Sequence, residues 1–218
     1  VCSSDLTFSG ASGERRVNFL SQTYRLATIA INIAFTEGST IMPAIITRHQ
    51  HLDQILTSWQ AQLGKDFTAY RNHCYRVLNF YSALVEKSPD HLHKAAIAVA
   101  FHDLGIWSHG TMDYLPPSAE LARKYLIAEG KEEWLEDVVA MINDHHKLTP
   151  TANRQAEAFR QADWLDVSLG LIHFGMNKHL VKTIQRAFPD AGFHWRLVTL
   201  SAQQMRRHPL KPLPMFKW

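Results

Sequence analysis

A short apolar helical stretch that runs into a His-Asp pair constrains the fold of this chain more than any other feature. Residues 95–101, AAIAVAF, are small and apolar, and they continue directly into His102 and Asp103. Helical spacing places Asp103 on the same face as Ala96 and Val99, so a carboxylate lies where an apolar residue would be expected. A buried carboxylate is unfavourable unless it is paired or bound to a cation. The stretch therefore predicts a metal ion that satisfies both polar side chains.

The remainder of the chain after Met42 also has helical periodicity, and its helices are separated by Pro-, Gly- and Ser-containing turns. We predict helices over about 50–63, 67–86, 89–102, 117–130, 132–146 and 156–171, then one or two shorter ones after Met176 and Gly192. The tail from residue 209 onward is rich in Pro and is expected to be irregular. No alternating pattern of useful length indicates a strand. The predicted fold class is all-α.

Composition predicts one well-filled domain and gives no sign of a large charged partner. The chain has 218 residues, 46% of them hydrophobic, and a net charge of +3 from scattered basic residues. Nucleic-acid binding is not indicated, and no stretch is apolar enough for a membrane span. Two cysteines, Cys2 and Cys74, form no disulfide framework, so we expect a cytoplasmic protein. Composition leaves open whether the chain forms a homodimer.

The first 41 residues differ from those that follow. The chain opens on Val1, its first Met is Met42, and the opening VCSSDL resembles a translated sequencing adapter. We therefore expect residues 1–41 to be a non-native or disordered N-terminal extension. The functional domain is expected to span residues 42–218, with a core at about 50–172 and C-terminal helices after it.

Four of the predicted helices carry a metal-ligand type of side chain on an otherwise apolar face. These residues are His73, the His102-Asp103 pair, His145 with His146 beside it, and Asp163 with Asp166 one turn later. Any one of them alone could be a hydrogen-bonded core residue, a helix cap or an ion-pair partner. Four buried polar groups on four helices would each need a separate partner, however, and one divalent cation inside a bundle satisfies them together.

The ordered set His73, His102-Asp103, Asp163 resembles the H…HD…D signature of the HD-domain metal-dependent phosphohydrolase superfamily. The local strings YRNHCYRV, AVAFHDLG and QADWLD are similar to the usual settings of those ligands. The resemblance covers roughly residues 50–172 and implies an HD-domain helical bundle. It also implies that His73, His102, Asp103 and Asp163 bind one divalent cation (Mn, Co, Ni, Fe or Zn, with Mg as a further candidate).

By this resemblance, the chain is expected to cleave a phosphate ester of a nucleotide or similar small metabolite through a metal-bound water. Asp103 would both bind the metal and orient that water. His145 is the candidate for a phosphate donor or an extra ligand, and Asp113 for an acid or a ribose contact. The candidates for contacts to the substrate are Trp107, His109, Tyr114, His146 and Lys147.

The sequence departs from two subgroups of this superfamily. Bacterial HD-domain nucleotidases carry a Glu three residues after the doublet, where this chain has Ile106. The dinuclear cyclic-dinucleotide phosphodiesterases have a GYP motif and further His ligands after the doublet. This chain has no GYP and no His in residues 117–130, so that branch is not favoured. The alternatives that stay open are an HD-fold hydratase or di-iron oxygenase, and a non-catalytic nucleotide-binding HD module.

Overall fold

The described residues form a succession of helices joined by short turns, as the spacing of apolar residues predicts. The computed structural model describes residues 44–86 and 88–216. Within them the helices are α1 (Gln50–Ser58), α2 (Gln60–Leu63), α3 (Phe67–Leu84), α4 (Pro89–Phe101), α5 (Gly105–Ser108), α6 (Leu115–Ala128), α7 (Leu135–Asp144), α8 (Arg154–Val167), α9 (Lys178–Ala187) and α10 (Phe193–Arg207). These residues contain no β-strand, and the all-α prediction is confirmed.

Local sequence explains where several helices begin. The Asn153 side chain accepts hydrogen bonds from the backbone N–H groups of Gln155 and Ala156 at 2.9 and 3.0 Å, which caps α8. Asn177 caps α9 in the same way. Pro89 occupies the first turn of α4, where its missing N–H costs no helical hydrogen bond.

Three predicted helices have different bounds in the structure. The segment predicted over 50–63 divides at Trp59 into α1 and α2. The segment predicted over 132–146 begins with a 3₁₀ turn, Glu132–Trp134, and its helical part ends at Asp144. Helix α10 has 15 residues and is longer than expected, because its polar and basic positions hide its helical pattern.

The centre of the bundle consists of α3, α4, α7 and α8. Helix α3 packs on α4 and α8, and α7 packs on α4, α6 and α8. In α4, residues 95–101 are buried, and four of these seven side chains are Ala methyl groups. Small side chains allow neighbouring helices to approach α4 closely. The predicted ligand positions all lie on these four helices or directly after one of them.

Gly105 starts a short helix, α5, that the sequence analysis did not predict. A Cβ atom at this position would lie 2.6 Å from the backbone carbonyl oxygen of Tyr114 and 3.0 Å from the Ser118 Oγ. The Gly105 N–H also donates to the Ser118 Oγ at 2.9 Å. The absence of a side chain therefore lets α5 rest directly on the start of α6. This contact holds Tyr114 close to the His102-Asp103 turn.

The C-terminal tail is irregular, as expected, but it packs against the α5–α6 region. Met215 is buried with Ile106, Met112 and Tyr114, and Phe216 packs at the edge of the same cluster. Tail residues therefore cover the side of the bundle on which the His102-Asp103 turn lies.

All described residues belong to one compact unit of the chain. The expected N-terminal extension over 1–41 falls outside the described residues and stays a prediction. Of the helices that the structure describes, none combines the length and the apolar composition that a bilayer crossing requires.

Replacing Gly105 with Ala is expected to destabilise the fold by about 1–3 kcal/mol, because a methyl group at 2.6 Å from a backbone oxygen forces α5 away from α6. Urea unfolding followed by circular dichroism measures the change. Ser108→Ala is the control on the same helix, since its hydroxyl contacts only the exposed His109 ring among the described hydrogen bonds. We expect less than about 0.5 kcal/mol for this control. Equal unfolding midpoints for the two variants would refute the close approach at Gly105.

Candidate metal centre

Each of the four central helices supplies polar side chains to one buried cluster. Helix α3 places His73 there, and the turn after α4 places His102 and Asp103. His145 and His146 follow the end of α7, and Asp163 lies in α8. The exposed side-chain fractions are 0% for His73, His102 and His145, 1% for Asp163, 3% for Asp103 and 10% for His146. The structure thus brings together the ligand candidates that the sequence distributes over 91 positions (from 73 to 163).

Three imidazoles of the cluster are held in the same way, through their Nδ1 atoms. His102 Nδ1 lies 2.8 Å from the Val99 carbonyl oxygen, and His145 Nδ1 lies 2.7 Å from that of Ile142. His73 Nδ1 lies 2.7 Å from Asp166 Oδ2. Carbonyl and carboxylate oxygens only accept, so each Nδ1 carries the proton. When these rings are neutral, their Nε2 lone pairs face the cluster, which is the arrangement of metal-ligating histidines.

His73, His102 and Asp103 offer ligand atoms that all lie within 4.8 Å of one another, and Asp163 lies close to both imidazoles. The Nε2 atoms of His73 and His102 are 2.9 Å apart. Asp103 Oδ2 lies 3.7 and 3.5 Å from these two nitrogens, and Asp163 Oδ1 lies 3.6 Å from each of them. Adjacent ligands at about 2.0–2.1 Å from a metal ion are separated from one another by roughly 2.8–3.4 Å in octahedral or tetrahedral geometry. Two lone pairs at 2.9 Å also require a proton or a cation between them.

Unpartnered polar atoms provide a second test of whether the residues fit a metal. Asp103 Oδ1, both carboxylate oxygens of Asp163 and His145 Nε2 are buried and make no hydrogen bond with any residue that the structure describes. Buried polar atoms without partners are rare in proteins, and each such group is costly. Nitrogen and oxygen donors in this combination suit a divalent transition metal. The residues present therefore fit the metal that the sequence analysis predicted.

A second group of potential ligands shares Asp103 with the first. Asp103, His145 and His146 offer ligand atoms that all lie within 4.8 Å of one another. Asp103 Oδ1 is 3.4 Å from His145 Nε2, whereas its Oδ2 faces His73 and His102. The two oxygens of Asp163 also face different imidazoles, because Oδ1 lies near His73 and His102 whereas Oδ2 lies 3.8 Å from His146 Nδ1. Each carboxylate therefore lies between the imidazoles of His73 and His102 on one side and the His145–His146 pair on the other.

Charge interactions keep both carboxylates ionised. Burial alone would raise the pKa of Asp163, but the surrounding imidazoles of His102 and His145 outweigh it and lower the pKa below its ordinary value. The pKa of Asp103 is lowered for the same reason. Burial lowers the pKa of His102, but the carboxylates of Asp103 and Asp163 overcome it and raise that pKa to about 9. The cluster thus favours a positive charge at its centre.

His146 lies at the most accessible side of the cluster. Burial and the neighbouring His145 lower its pKa to about 3, so the ring is neutral at physiological pH. Its Nε2 lies 2.5 Å from the Tyr114 hydroxyl oxygen. The Phe216 ring lies 5.4 Å from the His146 ring, centroid to centroid, and covers this side. Tyr114 and His146, both predicted to contact substrate, are therefore adjacent at the point where a ligand could reach the cluster.

Three of the predicted substrate or catalytic residues lie elsewhere. Asp113 is exposed and lines a surface cavity with Gln204 and Lys211, because the buried residues of this segment are its two neighbours, Met112 and Tyr114. The expectation that Asp113 contributes to the site is therefore not supported.

His109 is exposed, and its Nδ1 contacts the Ser108 hydroxyl, so it does not line the cluster. Trp107 donates from Nε1 to Asp66 at 2.9 Å, and its ring packs on Tyr70, which separates it from His102. Lys147 is half-buried directly after the histidine pair, and its carbonyl oxygen accepts from Arg160.

Two residues around His73 were missed by the sequence analysis. Arg76 is 2% exposed and pairs with Asp166, and the Phe193 ring stacks on His73 with 4.0 Å between ring centroids. The Arg at position 76 could have been noticed, since it follows His73 by one helical turn. Nothing in the sequence links Phe193 to His73, because a long connection separates them.

Comparison with known proteins agrees with this geometry. Residues 70–168 match the family model described as HD domain, and this range contains His73, His102, Asp103 and Asp163. No curated protein and no solved structure is significantly similar to the chain. The helical bundle and the meeting of the four predicted ligand positions inside it agree with this match. Residues 70–168 are therefore similar to an HD domain in sequence, and their helical fold agrees with that match.

Proposed function

We propose that the chain is a metal-dependent phosphohydrolase that cleaves a phosphate ester of a nucleotide or a similar small phosphorylated metabolite. The observation that supports this most directly is the set of buried, unpartnered carboxylate and imidazole atoms of Asp103, Asp163 and His145 beside the His73–His102 pair. The HD-domain match adds support, because members of this superfamily are mostly metal-dependent hydrolases.

A divalent cation held by His73, His102, Asp103 and Asp163 would supply a Lewis acid that acidifies water and neutralises charge on phosphoryl oxygens. The side chains provide the rest of the reaction. Ile106 is buried in an apolar cluster and supplies no base. Asp103 Oδ1 and His145 Nε2 lie 3.4 Å apart without hydrogen-bond partners, so either can accept a proton from the attacking water.

The substrate would approach from the side of His146. The His146 side chain is the most exposed of the cluster, and the Tyr114 hydroxyl beside it can donate to a phosphate oxygen after moving from His146 Nε2. Lys147 follows directly and adds a positive charge near this side. Phe216 covers His146 here, so we expect the tail to shift when substrate enters.

A second candidate function is oxygen chemistry at a pair of iron ions. The shared Asp103, with Oδ2 facing His73 and His102 and Oδ1 facing His145, favours this alternative. Iron content of the purified protein and its visible absorption separate the two functions. Two iron ions per chain, visible colour and no phosphatase activity would favour the oxygenase.

His102→Ala is expected to lower phosphatase activity at least about 100-fold, because losing a ligand removes several kcal/mol of charge stabilisation. A panel of nucleotides and phosphorylated metabolites is assayed with Mn²⁺, Co²⁺, Ni²⁺ or Mg²⁺ added. His179→Ala, which removes an exposed His of α9, is the matched control and should keep wild-type activity. Equal activity of His102→Ala and wild type would refute the proposal.

Metal is expected to stabilise the protein because it partners the Asp163 and Asp103 oxygens that lack hydrogen bonds. Free metal at 100 times its dissociation constant should add about 2.7 kcal/mol to the free energy of unfolding. Thermal unfolding with Mn²⁺ and with a chelator measures the effect. Asp163→Asn should lose most of the shift in Tm, whereas Asp113→Asn, at an exposed position away from the cluster, should retain it. A full shift in Asp163→Asn would contradict the assigned ligand.

A further inference from the structure

His73 differs from the other two Nδ1-anchored imidazoles in the nature of its partner. His102 and His145 rest on backbone carbonyl oxygens within their own helical turns, three residues earlier. His73 instead rests on the Asp166 side chain, 93 residues later in the chain, at 2.7 Å. Asp166 is 1% exposed. The orientation of His73 therefore depends on a carboxylate from another helix, which a substitution can remove.

Asp166 is itself fixed by Arg76, one turn after His73 on α3. Arg76 Nε donates to Asp166 Oδ1 at 2.5 Å, and Arg76 Nη2 donates to Oδ2 at 2.9 Å. A two-point contact of this kind defines the plane of the carboxylate. Arg76 Nη1 donates to the carbonyl oxygens of Phe188 and Pro189 at 3.0 and 3.3 Å. The connection between α9 and α10 thus anchors the guanidinium group.

The start of α10 restrains His73 and Asp166 from the other side. The Phe193 ring lies on the His73 ring with 4.0 Å between centroids and 14° between planes. His194 Nε2 lies 2.9 Å from the Asp166 carbonyl oxygen. Residues 188–194 follow the segment that matches the HD domain, which ends at residue 168. The support of His73 therefore includes residues beyond the family match.

We propose that Asp166 is a positioning residue, which holds the proton of His73 on Nδ1 and so presents the Nε2 lone pair to a metal ion. An ionised carboxylate accepts only, so the tautomer protonated on Nε2, which cannot bind a metal ion through that nitrogen, is excluded while Asp166 is in place. This inference rests on the proposed metal-dependent function. Asp166 does not itself contact the metal position or the substrate; it acts through His73.

Asp166→Asn tests the inference, because an amide NH₂ group facing His73 Nδ1 would favour the wrong tautomer. Isothermal titration of Mn²⁺ and Zn²⁺ into metal-free protein should show 10- to 100-fold weaker binding than wild type, the range typical for such supporting residues (about 10–100-fold). Wild-type affinity in a folded Asp166→Asn protein overturns the inference. Absence of metal binding by the wild type would instead refute the proposed function.

Arg76→Gln is the matched control that separates positioning from structural support. It weakens the anchoring of Asp166 but leaves the carboxylate to accept from His73. We expect a lower Tm with less than about a 10-fold change in metal affinity, below the range for direct supporting partners. Equal losses of affinity at equal Tm changes in both variants would show a merely structural role and overturn the inference.

A measurement on the wild type keeps the inference testable if Asp166→Asn does not fold. The ¹⁵N chemical shifts of the His73 ring distinguish the two neutral tautomers of metal-free protein at a pH where the ring is neutral. We expect the proton on Nδ1, and finding it on Nε2 would overturn the inference. In a folded Asp166→Asn protein, the same spectrum should show a population protonated on Nε2.

Discussion

Two carboxylates and three imidazoles without enough hydrogen-bond partners lie inside the bundle, and this constraint organises the rest of the structure. Burying an ionised carboxylate is unfavourable unless a positive charge compensates for it. Asp103 and Asp163 face His73, His102 and His145 at distances that leave several atoms unbonded. A divalent cation at the centre would resolve this imbalance. The helices that carry these residues must then meet at one point, which sets how α3, α4, α7 and α8 pack.

The family signature and helical periodicity were sufficient to predict the fold class and the group of polar residues that meet. In a helix, a polar residue three or four positions from apolar ones must share their buried face, so His73, Asp103 and Asp163 were identifiable from spacing alone. Loops have no such periodicity. Asp113 and Trp107 were therefore assigned to the site by closeness in sequence to Asp103, and the structure shows that their side chains face other parts of the molecule.

Contacts between distant segments account for what the sequence could not predict. The Gly105 contact depends on the approach of the Tyr114 carbonyl oxygen, and a Gly in a sequence gives no sign of which atom comes close. The stacking of Phe193 on His73 spans 120 positions, from 73 to 193. Both depend on how helices are arranged in three dimensions. Such contacts nevertheless determine the orientation of Tyr114 and His73, and therefore the chemistry of the site.

The adjacent histidines at the end of α7 bear on how many cations the site can hold. The sequence analysis favoured one metal, because residues 117–130 contain no His that could extend the set. His145 and His146 instead reach Asp103 and Asp163 from the end of α7. They face Asp103 Oδ1 and Asp163 Oδ2, the carboxylate oxygens that do not face His73 and His102. With one cation, these oxygens are available to accept a proton from water. If the cluster held two cations, these oxygens would serve as ligands and another group would have to accept the proton. In the proposed hydrolase, the number of bound metal ions would thus decide whether Asp103 serves as a base or only as a ligand.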